Sequence, residues 1–230
     1  MHGMKDNRKL TTHGIFAVME LKSFTFNPFS ENTYILYDNS GECVIVDPGC
    51  YDASEERQLT QFIEENELRP VRLINTHCHI DHVFGNRFVS EKWGLKLEAH
   101  ELATETLRMA GPTANLYALQ YTPSPLIENF VQTPSTIEFG NTTLRTVFTP
   151  GHSRGHICLL HDESHTAVVG DVLFFDSIGR TDLPGGHHQT LIDSIKNELM
   201  VLEDDWTVWC GHGPHTTIGR ERRYNPFLRS

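Results

Sequence analysis

Short apolar runs separated by turn residues fill the first part of the chain, a pattern typical of β-strands. Three runs, at residues 20–26, 33–37 and 42–49, are rich in β-branched and aromatic side chains. Residues 39–41, Asn-Ser-Gly, separate the last two runs and predict a hairpin turn. We therefore expect an antiparallel start to a sheet.

A helix and a buried strand are predicted next. Asp52 is a suitable N-cap with Glu55 three residues later, and apolar residues then recur at helical spacing. Residues 71–76, VRLINT, are typical of a buried strand. That strand runs directly into NTHCHIDHVFGN, so the His-rich stretch follows a strand end, where α/β folds usually place their sites.

The second half of the chain continues the alternation of strands and helices. Residues 101–133 contain several Gly and Pro residues, which predict one helix and a long ordered loop. Thr190 with Asp193 predicts a capping pair at the start of a late helix. Further helical and strand-like stretches lie at residues 83–93, 95–100, 136–139, 143–148, 157–161, 166–169 and 207–213.

We expect residues 19–230 to form one domain, because no low-complexity linker or repeat divides them. Residues 1–14, MHGMKDNRKLTTHG, are polar, and Met19 stands directly before the first strand-like run. Residues 1–18 are therefore predicted to be a flexible N-terminal extension, with a native start at Met19 as the open alternative.

Polar residues of the metal-binding types stand where apolar strands end. If those strands lie side by side, their ends converge on one edge of the fold. The candidate ligands are His77, His79, Asp81, His82, His152, Asp171 and His212. Seven nitrogen and oxygen donors exceed the needs of one tetrahedral zinc and suit two divalent ions that share a carboxylate. Imidazole and carboxylate favour Zn first, with Fe or Mn as alternatives.

Composition narrows the function classes. Hydrophobic residues make up 38% of the 230 residues, enough for a sizeable core, and the net charge is −11. That charge argues against nucleic acid as a partner. The five cysteines are odd in number and form no CxxC pair. With no secretory signal and no apolar run long enough to span a membrane, we expect a cytoplasmic protein without a membrane partner.

Four blocks together resemble the metallo-β-lactamase superfamily. They are THCHIDHVFGN, TPGHSRGH, GDVLFFDSIGRTDLPGG and GHGPHTTIGRERRYNPFL, and the match runs from Met19 to Leu228. Within that superfamily the sequence is similar to short glyoxalase II-like hydrolases, or hydroxyacylglutathione hydrolases. The resemblance implies an α/β fold, a four-layer αββα sandwich of two mixed sheets flanked by helices.

The resemblance also implies a ligand assignment and a reaction. It gives His77, His79 and His152 to the first metal, and Asp171 to a bridge between the two. The second metal would be held by Asp81, His82 and His212. A bridging hydroxide would attack a thioester, S-D-lactoylglutathione or a related acyl-thiol, and Asp81 would orient the hydroxide or take its proton. The expected partner is thus a small-molecule thioester, and the oligomeric state stays open.

Other polar residues are assigned supporting roles. Asp47, Thr76 and Arg180 are candidates to brace the ligand loops, although a simple turn role is an equal alternative for Asp47. Arg220 and Arg223 either bind the anionic part of the substrate or lie on a solvated helix face.

Several other functions compete with thioester hydrolysis, among which a nuclease of the same superfamily is disfavoured by the net charge of −11. Persulfide dioxygenases, which use a single iron, are similar in fold, and the GRTD motif resembles theirs. The final GHGP block nevertheless favours hydrolysis. A lactone or ester hydrolase of the same fold stays open. A β-lactamase is disfavoured because no export signal is seen, and a non-enzymatic metal-binding protein because all seven ligands are present.

Overall fold

The computed structural model describes residues 19–229, which contain fourteen strands and five α-helices. The predicted extension, residues 1–18, lies outside the described residues. The strands are β1 (Glu20–Phe26), β2 (Glu31–Tyr37), β3 (Glu42–Val46), β4 (Arg69–Ile74), β5 (Leu97–Ala99), β6 (Ile127–Phe130), β7 (Ser135–Phe139), β8 (Thr142–Phe148), β9 (Ile157–His161), β10 (Thr166–Gly170), β11 (Leu173–Phe174), β12 (Ser177–Ile178), β13 (Thr207–Cys210) and β14 (Thr216–Thr217). The helices are α1 (Ala53–Glu65), α2 (Asn86–Trp93), α3 (Thr104–Leu116), α4 (His188–Ser194) and α5 (Ile218–Tyr224).

Two six-stranded mixed sheets form the centre of the fold. The first has the strand order β1-β2-β3-β4-β5-β6, antiparallel up to β3 and parallel from there on. The second has the order β14-β13-β10-β9-β8-β7, in which only β10 and β13 are parallel. Strands β11 and β12 form a separate small hairpin.

The side chains of β2 show how the layers are packed. Tyr34 and Leu36 point into a core between the two sheets, whereas Ile35 packs in a second core with α1, α2 and α3. A third core joins the outer face of the second sheet to α4 and α5. Successive residues of a strand face opposite sides of the sheet. The sequence of a strand that is buried on both faces is therefore a continuous apolar run. The predicted α/β arrangement of two mixed sheets with helices outside is confirmed.

Most predicted elements are present, with two corrections. Asp52 caps α1 as predicted, since its carboxylate accepts from the backbone N–H groups of Ser54 and Glu55. The prediction that Thr190 and Asp193 form a capping pair was wrong. His187 is the N-cap of α4, and its ring nitrogen accepts from Thr190 N–H. An imidazole can accept there as a Ser or Asp oxygen does.

The long loop predicted within residues 101–133 is also corrected. Strand β6 lies within it and pairs in parallel with β5 at the edge of the first sheet. Its residues, Ile-Glu-Asn-Phe, are mostly exposed and lack a buried apolar pattern, because an edge strand is covered by few neighbours.

The strands that precede the candidate ligands end at the same side of the molecule. In the second sheet β8, β10 and β13 run in one direction. Two backbone hydrogen bonds join this sheet to the first. Ile157 N–H donates to Thr76 O (2.9 Å), and Asn32 N–H donates to Gly211 O (2.7 Å). The end of β4 therefore lies beside the ends of the second-sheet strands.

None of the helices in residues 19–229 has the length and apolar character that crossing a membrane requires.

Candidate metal centre

The seven predicted ligands come together at this side of the fold. His77 and His79 lie in the loop after β4, and Asp81 and His82 lie in the short 3₁₀ turn that follows it. The other three, His152, Asp171 and His212, follow β8, β10 and β13. Strand ends from both sheets thus supply one polar cluster.

Hydrogen bonds at Nδ1 orient four of the five histidines. His152 Nδ1 donates to the backbone oxygen of Arg180 (2.8 Å), and His212 Nδ1 donates to that of Phe29 (3.1 Å). His77 Nδ1 lies 3.2 Å from Thr76 Oγ1. His82 Nδ1 lies 3.2 Å from a carboxylate oxygen of Asp47. With Nδ1 occupied, the Nε2 lone pair of each ring is directed into the cluster.

The first group of donors consists of His77, His79 and His152. His79 Nδ1 lies 2.8 Å from His152 Nε2, which is 3.3 Å from His77 Nε2. All three donor atoms fall within 4.8 Å of one another. Two ligands of a tetrahedral zinc at about 2.0–2.1 Å would lie about 3.3 Å apart, so this spacing suits one cation.

The second group consists of Asp81, His82 and His212, whose donor atoms also lie within 4.8 Å of one another. Asp81 Oδ2 is 3.1 Å from His212 Nε2 and 3.6 Å from His82 Nε2. These three groups offer two imidazole nitrogens and one carboxylate, a donor set that divalent ions accept readily.

Asp171 faces both groups. Its Oδ2 lies 3.5 Å from His152 Nε2 of the first group and 3.5 Å from His212 Nε2 of the second. Its Oδ1 lies 3.5 Å from His82 Nε2. A single carboxylate in this position can contribute to two adjacent cations.

Unsatisfied buried atoms support a cation at this place. His82 Nε2 and Asp171 Oδ1 are buried and have no hydrogen-bond partner within residues 19–229. An unsatisfied buried polar atom usually costs about 1–3 kcal/mol, so a pair of them facing one another at 3.5 Å indicates a ligand. The donor set and its spacing fit a divalent metal.

Burial and charge divide the histidines into two kinds. Burial lowers the pKa of His77 well below its usual value and that of His79 to about 3, so both rings are neutral and can donate a lone pair. Burial would also lower the pKa of His212, but hydrogen bonds to Asp171 and Asp81 outweigh it and raise that pKa to about 10. The carboxylates therefore stabilise positive charge in the second group, which a bound cation would also supply.

Asp47 lies behind the loop that carries the candidate ligands and accepts hydrogen bonds from it. Its Oδ1 accepts from Thr76 N–H (2.7 Å) and from the side chain of Asn75 (3.2 Å). Its Oδ2 accepts from the Thr76 hydroxyl (2.6 Å) and faces His82 Nδ1. Thr76 thus connects Asp47 to His77, so both of these residues lie directly behind candidate ligands.

Glu31 is a buried carboxylate that sequence reasoning missed. It is fully buried at the start of β2, and its Oε1 lies 3.8 Å from His82 Nδ1 without a hydrogen-bond partner in the described chain. Burial raises its pKa well above the usual value. Nothing in the stretch ENTYILY signals this position, because contact with His82 arises only when β2 pairs across to His212.

His156 supports Asp171 rather than joining the candidate ligands. Burial lowers its pKa, and its Nε2 accepts from the backbone N–H of Asp171 (3.1 Å). Its Nδ1 lies 3.0 Å from the Thr149 hydroxyl, which fixes the ring. The turn that carries Asp171 is therefore held by a neutral imidazole.

Replacing His156 by alanine is expected to weaken metal binding about tenfold, because the Asp171 turn loses its acceptor. Competition with a chromogenic chelator measures the affinity. His156→Gln offers an amide oxygen to the same N–H and should recover part of the loss. His161→Ala removes another buried histidine, at the end of β9, and serves as the control. Equal affinities in His156→Ala and His161→Ala would contradict this role.

A cavity of about 700 Å³ opens onto the cluster. His79, Asp81, His152, Asp171 and His212 form its inner end. Its outer walls are mainly apolar and come from α3, the small β11–β12 hairpin and loops, with Phe29, Met109, Tyr117, Phe174, Leu183 and Pro184 among the lining residues. This volume is of the size that small-molecule sites have.

The three arginines named from the sequence take different positions. Arg180 lines the cavity, its backbone oxygen holds His152, and its side chain pairs with Asp182. Arg220 pairs with Asp176 and stacks on Phe175, with 3.6 Å between its guanidinium carbon and the ring centroid. Arg223 pairs with Asp204 (2.7 Å). The structure does not bring Arg220 or Arg223 to the cavity lining.

The chain is similar in sequence and fold to known proteins. Residues 26–212 match the family model of the metallo-beta-lactamase superfamily. The chain is 34% identical over 214 residues to the hydroxyacylglutathione hydrolase GloC of Haemophilus influenzae. The aligned region covers 92% of this chain and 99% of that protein. Among solved structures, the B3 metallo-beta-lactamase BLEG-1 superposes with a TM-score of 0.84 at 32% identity, covering 92% of this chain and 100% of that one. The di-iron-bound form of TTHA1623 superposes with a TM-score of 0.81 at 33% identity, covering 90% of this chain and 100% of that one.

Proposed function

The chain belongs to the metallo-beta-lactamase superfamily and is a metal-dependent hydrolase, and from this premise we propose that it cleaves thioesters. The proposed substrate is S-D-lactoylglutathione or a related acyl-thiol. Asp171, placed between two groups of three donors, carries the proposal, because it indicates a centre for two cations. The similarity to a hydroxyacylglutathione hydrolase over nearly the full length supports the thioester.

The seven residues divide between two divalent cations. One cation would be held by His77, His79 and His152. The other would be held by Asp81, His82 and His212, and Asp171 would contribute to both. When bound, such a pair would lower the pKa of a bound water and would polarise a carbonyl group. Zinc suits the imidazole and carboxylate donors, and iron is the main alternative because TTHA1623 has a di-iron-bound form.

The chain's own residues supply the proton transfer and the positioning. Asp81 lines the cavity and is half-buried, so its carboxylate can accept the proton that the attacking water loses. Asp47 and Thr76 keep the His77 and His82 rings in place behind it. The apolar outer walls bind the substrate and restrict the access of water to the inner end.

A cytoplasmic location and a reducing environment are part of the proposal. All five cysteines are buried and none forms a disulfide. Burial raises the pKa of Cys43, Cys158 and Cys210 to about 12, so these thiols are unreactive.

The proposed function is tested by metal content and substrate range on the same preparation. Protein purified without added metal is analysed for elements and then assayed with S-D-lactoylglutathione. About two metals per chain and rapid release of glutathione are expected, with activity lost after chelation and restored by zinc or iron.

Parallel assays address the competing reactions. One iron per chain, with oxygen uptake on glutathione persulfide and no thioester cleavage, would replace the proposal by a dioxygenase. The similarity to BLEG-1 favours β-lactam hydrolysis as a second candidate. Cleavage of a chromogenic cephalosporin or a lactone, without cleavage of the thioester, would move the assignment to that substrate.

A further inference from the structure

Two arginines, Arg154 and Arg180, line the cavity. The guanidinium of Arg180 makes two hydrogen bonds of 2.7 Å to the carboxylate of Asp182, so its charge is already compensated. Such paired geometry holds an arginine side chain firmly. Arg180 therefore offers little to an incoming anion.

Arg154 is different. In residues 19–229 no carboxylate oxygen lies within 4.0 Å of its side-chain nitrogens, and this includes Glu105, the acidic residue that α3 contributes to the cavity wall. The chain carries 30 acidic and 19 basic residues. In so acidic a protein, an arginine on a cavity wall without an acidic partner indicates a ligand that supplies the negative charge.

Close packing fixes the position of the Arg154 loop. Gly155, the next residue, lies so near the backbone of Ala103 that a Cβ atom would clash with it. The side chain of Arg154 lies over Gly185, where an added Cβ would be 3.1 Å from Arg154 Cγ. Gly185 has a φ of +94°, a conformation that favours glycine. The arginine is thus presented from a loop that is held on both sides.

The location of Arg154 indicates which part of the substrate it meets. Its side chain is exposed, whereas His152, two residues earlier, is buried at the inner end of the cavity. The reacting carbonyl must lie at the inner end, next to the ligands. The part of the substrate that reaches the exposed wall is therefore the part farther from the carbonyl. In a short acyl thioester that part is the thiol carrier.

We infer that Arg154 binds a carboxylate of the thiol carrier, and that the enzyme consequently prefers anionic thioesters over neutral ones. This inference rests on the proposed function. Arg154 would thus determine specificity without taking part in the chemical step.

Kinetics with two carriers of one acyl group test the inference. S-D-lactoylglutathione carries carboxylates on its thiol, and the D-lactoyl thioester of N-acetylcysteamine carries none. In metal-loaded Arg154→Ala we expect the KM for the glutathione thioester to rise about tenfold and kcat to change less than twofold. Values for the neutral thioester should stay within twofold. Arg154→Lys should recover part of the affinity.

Arg108→Ala is the matched control, because Arg108 is an exposed arginine of α3 that does not line the cavity. It removes the same charge and should leave both substrates unaffected. A parallel rise of KM for both thioesters in Arg154→Ala, or equal values in Arg154→Ala and Arg108→Ala, would overturn the inference.

A binding measurement separates this inference from the proposed function. S-hexylglutathione has a thioether that cannot be hydrolysed, and its diethyl ester lacks both carboxylates. Calorimetry should show tighter binding of the acid to the wild type, and a loss of that preference in Arg154→Ala. If the wild type cleaves neither thioester, the proposed function fails, and this titration still decides whether Arg154 binds a carboxylate.

Discussion

Replacing Asp171 by asparagine is expected to lower thioester hydrolysis by more than about 100-fold, beyond the range typical for a residue that only supports a ligand. Asp171 is the candidate ligand that lies within 3.5 Å of nitrogens from both donor groups. Asparagine has nearly the same shape but no negative charge, and one oxygen cannot serve both groups. Elemental analysis should therefore show a loss of metal, together with the loss of kcat.

The control for this variant is Asp162→Asn. Asp162 is an exposed carboxylate that follows β9 and pairs with Arg145, so its replacement removes one charge from the same sheet. Metal content and activity should stay at the wild-type level. If Asp171→Asn retained two metals per chain and full activity, the assignment of Asp171 as a shared ligand would be wrong.

The sequence predicted the strand-end residues because their signal is local. His77, His152, Asp171 and His212 each follow an apolar run, and the ends of neighbouring parallel strands lie together. The meeting of these strand ends can therefore be predicted without knowledge of side-chain contacts. Whether the seven residues bind metal as assigned stays a prediction, although the structure brings all of them together.

Supporting contacts were predicted less well, because they depend on pairing between distant segments. Asp47 lies in a turn of the type VDPG, and its four contacts with the Asn75–His82 loop form only when β3 and β4 pair. Glu31 reaches His82 from another strand. His156 accepts from Asp171 N–H across two strands of the second sheet. None of these distances is encoded by residue spacing.

Arginines were the least predictable from the sequence. Arg220 and Arg223 stand close together at positions that suggest an anion site, but Asp176 and Asp204 satisfy their charges. Arg154 has no such partner in the described chain, although TPGHSRGH marks it only as a residue between two histidines. Pairing decides whether an arginine is available to a ligand, and pairing is a property of the folded chain.

Replacing Asp47 by alanine is expected to lower the free energy of unfolding of the metal-free protein by about 3 kcal/mol. Asp47 is 1% exposed, and its loss removes the acceptor of four donors: Thr76 N–H, the Thr76 hydroxyl, the Asn75 side-chain amide and His82 Nδ1–H. Each buried donor left unsatisfied costs about 1–3 kcal/mol, partly offset when the site relaxes or water enters. Urea denaturation in the presence of a chelator measures this effect apart from metal binding.

Two further variants separate the causes of that loss. Asp47 has a φ of +49°, a conformation that asparagine adopts more readily than alanine. Asp47→Asn keeps the backbone and one acceptor oxygen, so it should lose less stability than Asp47→Ala. Asp52→Ala removes a carboxylate that also accepts two backbone N–H groups, but at an exposed helix start, where the expected loss is about 1 kcal/mol. Equal losses in Asp47→Ala and Asp52→Ala would mean that burial beneath the ligand loop adds nothing, and that Asp47 acts only as a turn residue.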